Sequence, residues 1–521
     1  MSLDLGSVTG KPSIYEFIRG HLDEVGRLVE PAASLPDEAT VMSGDLKWAP
    51  GAMDGAFGHH GGGAGSAQLA DSAAQAFVAA SKRPTRRRLS RLYKAVQSDN
   101  VLDFMDPLIE KLVQLQPDRG RLHDLGRWLA TTASDRGAVK VGIAILGVTG
   151  LDRDVDVVRA LGAHDEFTLF AAVALSNGLE DSESELWALA NVVDGWGRIQ
   201  CVERLRDTTD PAIRRWILRE GFRNSVMYEY LAHIAATTGG LLEALRAEEP
   251  DRDLLTAAGE ILAALIDGGP AEDMTDYDDG ADATEAFLAH MARRAETLHD
   301  FQAVAAIRSF LDSESVWDDL GARGWSATRR DAFERLCDEV LARQEWIERI
   351  QAGLESPDAV EYWRAEQAAR RRGIDVFHIQ VRRIRQDPFG QDWFAAWQGA
   401  TPERAEELVN LATELLPLGD MGTGPQDLAG FGPEWRSHNA LDWTLQALRS
   451  HPGVGAHLVL IGLQSPMTRN RNMSLNALSD WPREQWPPGA EELVQRLATA
   501  DPNEHAREHA GEVLAGTVLG N

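Results

Sequence analysis

Three short apolar segments recur at an interval of about 30 residues: VGIAILG (141–147), FAAVALS (170–176) and QCVERL (200–205). This period constrains the fold more than any other feature of the chain. A single helix pair of that length cannot bury both its faces, so several pairs must stack side by side. DPAIRRWIL (210–218) opens the next helix. Asp210 is placed to cap it, Pro211 suits the first helical position, and Ile213, Trp216 and Ile217 form its apolar stripe. The same grammar returns near the C-terminus. TRNRNMSLNALSDW predicts a helix with Leu475 and Leu478 inward, and AEELVQRLATA its partner through Leu493, Val494 and Leu497. DPNEHAREHAGEVL predicts a third helix, with Asp501 as cap and Pro502 in the first turn.

Between these regions, Phe301, Val304, Ile307 and Leu311 recur at helical spacing, as do Phe333, Leu336, Cys337, Val340 and Leu341. Alternating strand patterns are scarce. DVFHIQVRRI (375–384) reads either as a strand through Phe377, Ile379 and Val381 or as a helix. The expected fold is all-α, a curved helical-repeat solenoid. Asp-Pro helix starts, small residues such as Ala506 and Ala510, and short turns give it a resemblance to HEAT or armadillo-type repeats, which implies a fold and says little of an activity.

Two segments interrupt the pattern. Residues 268–285 are acidic and glycine-rich, which predicts an exposed linker between two solenoid halves. Residues 418–435 predict a long loop. The expected organisation is an N-terminal helical region with a glycine-rich loop (1–120), repeats (121–267), the linker, a helical region (286–417), the loop, and C-terminal repeats (436–521).

The 521 residues carry a net charge of −29, with 44% hydrophobic and 26% charged residues, which excludes collagen-like and wholly disordered chains. Two cysteines, Cys201 and Cys337, exclude a disulfide scaffold and read as small core residues. The first residues lack a basic stretch followed by an apolar core, so no secretory signal is expected. The best apolar run, 139–148, is short and broken by Lys140, so no membrane association is expected and a cytoplasmic location is the default.

Three N-terminal pieces stand out: SIYEFIRGHL (13–22), with Ser13 and Glu16 spaced as a capping box, LPDE (35–38), and WAPGAMDGAFGHHGGGAGS (48–66). Together they resemble the start of an uncharacterised bacterial helical-repeat family, some members of which carry the label limonene hydroxylase. That label implies haem, flavin or non-haem iron. The sequence offers no cysteine haem-ligand motif, no GxGxxG on a strand–turn–helix and no facial triad, so no cofactor and no metal are expected. Asp54, His59 and His60 are the candidate catalytic residues, on a loop where Gly51, Gly55 and Gly58 allow positive φ and close approach to a ligand. The alternative is a docked loop anchored by Trp48 and Phe57. GGGAGS (61–66) lacks the Gly-Lys-Ser/Thr of a phosphate loop and reads as a connector.

Two basic clusters interrupt the acidic background. One holds Lys82, Arg83, Arg86, Arg87, Arg88, Arg91 and Lys94, the other Arg370, Arg371, Arg372, Arg382, Arg383 and Arg385. Each either grips an anionic partner or pairs with neighbouring carboxylates. His505 and His509 lie four apart but outside an HExxH pattern, and Asp276, Asp278 and Asp279 miss the register of a calcium loop. Late tryptophans, among them Trp393, Trp397, Trp435, Trp443, Trp481 and Trp486, either pack between repeats or anchor a partner. The leading expectation is a scaffold presenting a concave surface to a protein, with Trp48, Arg86, Arg87, Arg88, Arg371, Arg372, Arg382, Arg383, Trp435 and Trp443 as candidate contacts. The alternatives are an enzyme built on Asp54, His59 and His60, or a nucleic-acid-binding solenoid using the Arg clusters, which the global acidity opposes.

Overall fold

The computed structural model describes residues 11–29, 32, 34–38, 50–52, 54, 67–98, 100–247, 249–313, 317–430 and 432–516. Trp48, Phe57, His59 and His60 lie outside them. The described residues are all-α, with two isolated β-bridges, Leu22 with Leu28 and Leu428 with Met467. Among them no helix is long and apolar enough to cross a membrane. The chain divides into two compact units, Met1–Arg349 and Ile350–Asn521.

The first unit opens with α1 (Ile14–Arg19), α2 (Ala67–Lys82), α3 (Arg86–Val96), α4 (Leu102–Leu115) and α5 (Arg119–Thr132). The repeat follows as α6 (Arg136–Thr149), α7 (Val155–Gly162), α8 (Asp165–Gly178), α9 (Glu183–Ala190) and α10 (Gly195–Glu203). The three recurring apolar segments fall on α6, α8 and α10, which pack one on the next while α7 and α9 take the alternate positions. This is the stacked arrangement that the period requires. Small residues set the spacing. A Cβ on Gly142 of α6 would lie 2.5 Å from the backbone nitrogen of Ala130 on α5, and one on Gly147 would lie 2.6 Å from Ala174 Cα on α8.

The series continues through α11 (Pro211–Trp216), which runs into a π-turn, α12 (Ala232–Thr237), α13 (Leu241–Leu245), α14 (Arg252–Asp267), α15 (Gly280–Arg294) and α16 (Leu298–Leu311). Asp210 caps α11 as expected, accepting from Ala212 and Ile213 N–H groups. A short α17 (Trp317–Leu320), α18 (Ala327–Leu341) and the start of α19 (Glu345–Leu354) close the unit, with α14, α16 and α18 again stacked in alternation.

The acidic segment 268–285 is not the exposed linker that its composition suggests. Met274 and Tyr277 are buried, Met274 N–H donates to Leu265 O at 2.9 Å, and α15 begins at Gly280. Two apolar side chains among the acids are enough to pin it, and the division between compact units falls at Arg349/Ile350.

The second unit contains α20 (Ala359–Arg371), α21 (Phe377–Gln386), α22 (Asp392–Trp397), α23 (Pro402–Leu415), α24 (Arg436–Leu448), α25 (Ala456–Leu463), α26 (Thr468–Asp480), α27 (Ala490–Ala500) and α28 (Glu504–Leu514). DVFHIQVRRI is thus helical. Successive contacts run α22–α24–α26–α28, around one core that includes Trp393, Leu441, Leu475 and Val494. The loop 418–435 is tied down by buried Met421 and by Thr468 N–H donating to Leu428 O at 3.1 Å. Asp501 does not cap α28. Asn503 does, accepting from Ala506 N–H, while Asp501 turns inward to Arg471. A fully buried arginine outbids a solvated helix end for that carboxylate.

Candidate functional site

The N-terminal pieces lie across the ends of successive repeats. Ile14 N–H donates to Ala133 O at 2.9 Å, and Ser13 Oγ both donates to Thr131 O and accepts from Glu16 N–H. Arg27 reaches Asn191 O at 3.3 Å, beyond α9. LPDE meets the start of α6. Leu35 is buried, Asp37 Oδ2 accepts the Arg136 backbone N–H at 2.8 Å, and Asp37 Oδ1 accepts Arg136 Nη2 at 3.0 Å. The same Nη2 donates to Glu38 Oε2 at 2.9 Å. Asp37 therefore satisfies an orphan N–H of α6 from far along the chain, because the adjacent Asp135 is taken by the Tyr93 hydroxyl.

One turn into α6, Lys140 is buried among Val139, Val141 and Ile143. Its Nζ lies 2.5 Å from Asp54 Oδ2 and 2.6 Å from Glu166 Oε1. Glu166, in the first turn of α8, also accepts Gly51 N–H at 3.3 Å and lies 3.5 Å from Arg136 Nη1. Burial works against the Lys140 charge, but Glu166 and Asp54 outweigh it and hold the ammonium protonated. Burial likewise opposes the Glu166 charge, and Lys140 and Arg136 overcome it, so its pKa is lowered. Asp54 is raised, because burial there exceeds the help from Lys140.

The cluster is a clamp. Its ammonium is engaged by two carboxylates, which leaves it no lone pair for nucleophilic or basic chemistry. Asp54, a candidate catalytic residue, is committed to it. Gly51 does adopt positive φ, at 73°, but its close approach is to α8: a Cβ would lie 2.5 Å from Asp165 O. The loop glycine serves docking at that position.

The basic clusters separate clearly. In the second, Arg382 pairs with Glu355, Arg385 with Glu414, Arg383 with Asp392 and the Tyr362 ring, and Arg370 with Glu366. Arg371 and Arg372 also have partners. In the first cluster, Arg88 donates to the Ala79 and Arg83 carbonyls and closes the end of α2. Arg86, Arg87, Arg91 and Lys94 are exposed and form no ion pair among the described residues. Leu89, Leu92, Tyr93 and Val96 fill the buried face of α3, so Arg87, Arg91 and Lys94, at helical spacing, occupy the opposite one.

The late tryptophans pack between helices: Trp393, Trp397 and Trp481 are buried with their indole N–H groups bonded, and Trp435, Trp443 and Trp486 are half-buried. Cys201 and Cys337 are buried, and burial pushes the Cys201 thiol up to about 12. His505 is exposed and stacks on His509, which reaches Asn472 at 3.2 Å. No group of three or more His, Cys, Asp or Glu side chains among the described residues could hold a metal ion.

Sequence reading passed over Arg136, Lys140 and Glu166. The signal was present in Lys140: a lysine inside an apolar helical run must bring a buried counter-charge. No protein-family model matches the chain, and no curated protein matches it.

Proposed function

We propose that this protein is a helical-repeat scaffold that grips an acidic segment of a protein partner along α3. One observation carries the reading: on a chain of net charge −29, Arg86, Arg87, Arg91 and Lys94 stay exposed and form no ion pair among the described residues, whereas the other basic cluster is largely neutralised. Exposed arginines on a rigid helix about 16 Å long suit bidentate capture of carboxylates spread along an extended or helical segment. The same face could be drawn to nucleic acid, but the surrounding negative field opposes a long polyanion more than a short acidic segment. The enzyme alternative gains no support from Asp54, which the clamp occupies.

Affinity capture from the source cells with wild-type protein and with R87E/R91E/K94E tests the proposal. A partner bearing an acidic segment should be retained by the wild type under nuclease treatment and lost by the variant. R382E/R385E, which alters the paired cluster, should retain it. Capture that survives R87E/R91E/K94E, or that nuclease abolishes, would contradict the proposal.

A further inference from the structure

Three arginines from separate parts of the first unit line one cavity of about 490 Å³, a volume within the range of small-molecule sites. Arg27 comes from the N-terminal pieces, Arg198 from α10, and Arg223 from the turn that follows α11. Asp23 sets Arg27 in place: its Oδ1 accepts the Val25 and Arg27 N–H groups at 2.9 and 2.8 Å, and Arg27 Nη2 then donates to Asn191 O. Arg198 is held by backbone alone. Its Nε donates to Ala190 O and Val193 O, both at 3.2 Å, and its Nη1 to Arg223 O at 2.9 Å. Another wall is a turn closed by Asn224, whose Oδ1 accepts the Val226 and Met227 N–H groups.

The charges in this cavity stay apart. Arg223 pairs with Glu260 at 2.7 Å, but Arg27 and Arg198 form no ion pair among the described residues. Asp194 also lines the cavity and forms none, and its Oδ1 accepts the Ser225 N–H at 3.0 Å. Elsewhere in the unit arginines find carboxylates, as Arg159 does Glu185 and Arg219 does Asp251. Two guanidinium groups and a carboxylate that share a cavity without neutralising one another suit a guest carrying both signs. A guanidinium fixed by carbonyls keeps its full charge, and its remaining N–H donors match a carboxylate. The nearby Asp165 carboxyl, pushed up to about 7 by burial and then by Asp194, adds to the demand for a cation beside Asp194.

We propose that this cavity binds a free α-amino acid, its carboxylate at Arg198 and Arg27, its ammonium at Asp194 and its side chain against the half-buried Tyr228. The site is independent of the α3 surface, and its failure would leave the scaffold reading untouched.

Thermal unfolding of the full chain in the presence of each common L-amino acid, at about 10 mM, tests it, because a ligand of the folded state raises the melting temperature. At least one amino acid should raise it, and isothermal titration with that amino acid should show one saturable site. Its methyl ester, which lacks the carboxylate, and its des-amino acid, which lacks the ammonium, should both fail to bind. D194N keeps the acceptor for the Ser225 N–H and removes the charge, so it should weaken binding by roughly tenfold or more, and the exposed R27Q by several-fold. R382Q/R385Q, which removes positive charge from α21, should bind as the wild type does. No stabilisation by any of the amino acids, equal binding by D194N and R27Q, or equal binding of the methyl ester would overturn the proposal.

Discussion

Arg136 and Asp37, 99 positions apart, are joined through both the backbone N–H and the guanidinium of the arginine, and both residues are almost wholly buried. The pair fixes the N-terminal pieces to the first stacked repeat. Removing Asp37 leaves the guanidinium to Glu38 and Glu166 but orphans the buried Arg136 N–H, at a cost of about 1–3 kcal/mol. Asp37→Ala should therefore lower the melting temperature and release the amides of residues 34–38 and 11–29 to hydrogen exchange, with α14 and α16 still protected. Unchanged protection in those N-terminal amides would show that the Asp37–Arg136 pair is not what holds them.

Gly51 and Gly147 mark two kinds of close backbone contact in the first unit, a docked N-terminal piece and a helix-on-helix packing. Gly51→Ala adds both a positive-φ strain and a clash with Asp165 O, and Gly147→Ala drives a methyl into α8. Each should destabilise by about 1–3 kcal/mol. Their signatures differ: Gly51→Ala should loosen the N-terminal pieces alone, whereas Gly147→Ala should lower the urea midpoint of the unit. Equal, global effects would contradict the placement of Gly51 at the edge of the repeat.

The stacked architecture was legible in the 30-residue period and in Asp210-Pro211, because apolar spacing and caps are local properties. Asp501 shows the limit of that logic. It has the spacing of a cap, but its strongest available partner, Arg471, lies on another helix, and only the tertiary structure decides between them. Asp37 and Lys140 were invisible as partners for the same reason. The segment 268–285 misled because net charge hides its buried side chains, Met274, Tyr277, Ala281, Ala283 and Thr284.

Asp165 gives the first unit a pH signature. Burial, reinforced by Asp194 and partly offset by Arg198, pushes it up to about 7 from an ordinary 3.8. Between those values the folded state keeps a proton that the unfolded chain has released, so this contribution to stability is complete below about pH 4 and is lost as pH rises through about 7. Asp165→Asn should flatten that slope and raise stability at about pH 8, by on the order of 3 kcal/mol. Urea denaturation at about pH 5 and pH 8 measures it, and an unchanged slope would refute the assignment.

Arg471 and Asp501 are both fully buried, bonded at 2.7 and 2.8 Å, and Arg471 also donates to the Ser465 and Pro466 carbonyls. Arg471→Ala should cost about 3–5 kcal/mol in the second unit. Arg471→Met with Asp501→Leu should recover part of that loss, since no lone buried charge remains. A double variant less stable than Arg471→Ala would mean that the carbonyl contacts dominate.

On the proposed function, α3 meets carboxylates of a partner. Zero-length carbodiimide cross-linking joins a lysine amine only to a carboxylate in contact with it. With the captured partner bound, mass spectrometry should find Lys94 and Lys82 joined to Asp or Glu of the partner, and these links should fade as salt is raised, as exposed ion pairs do. Partner cross-links confined to other faces of the protein, with Lys82 and Lys94 unmodified, would contradict the account.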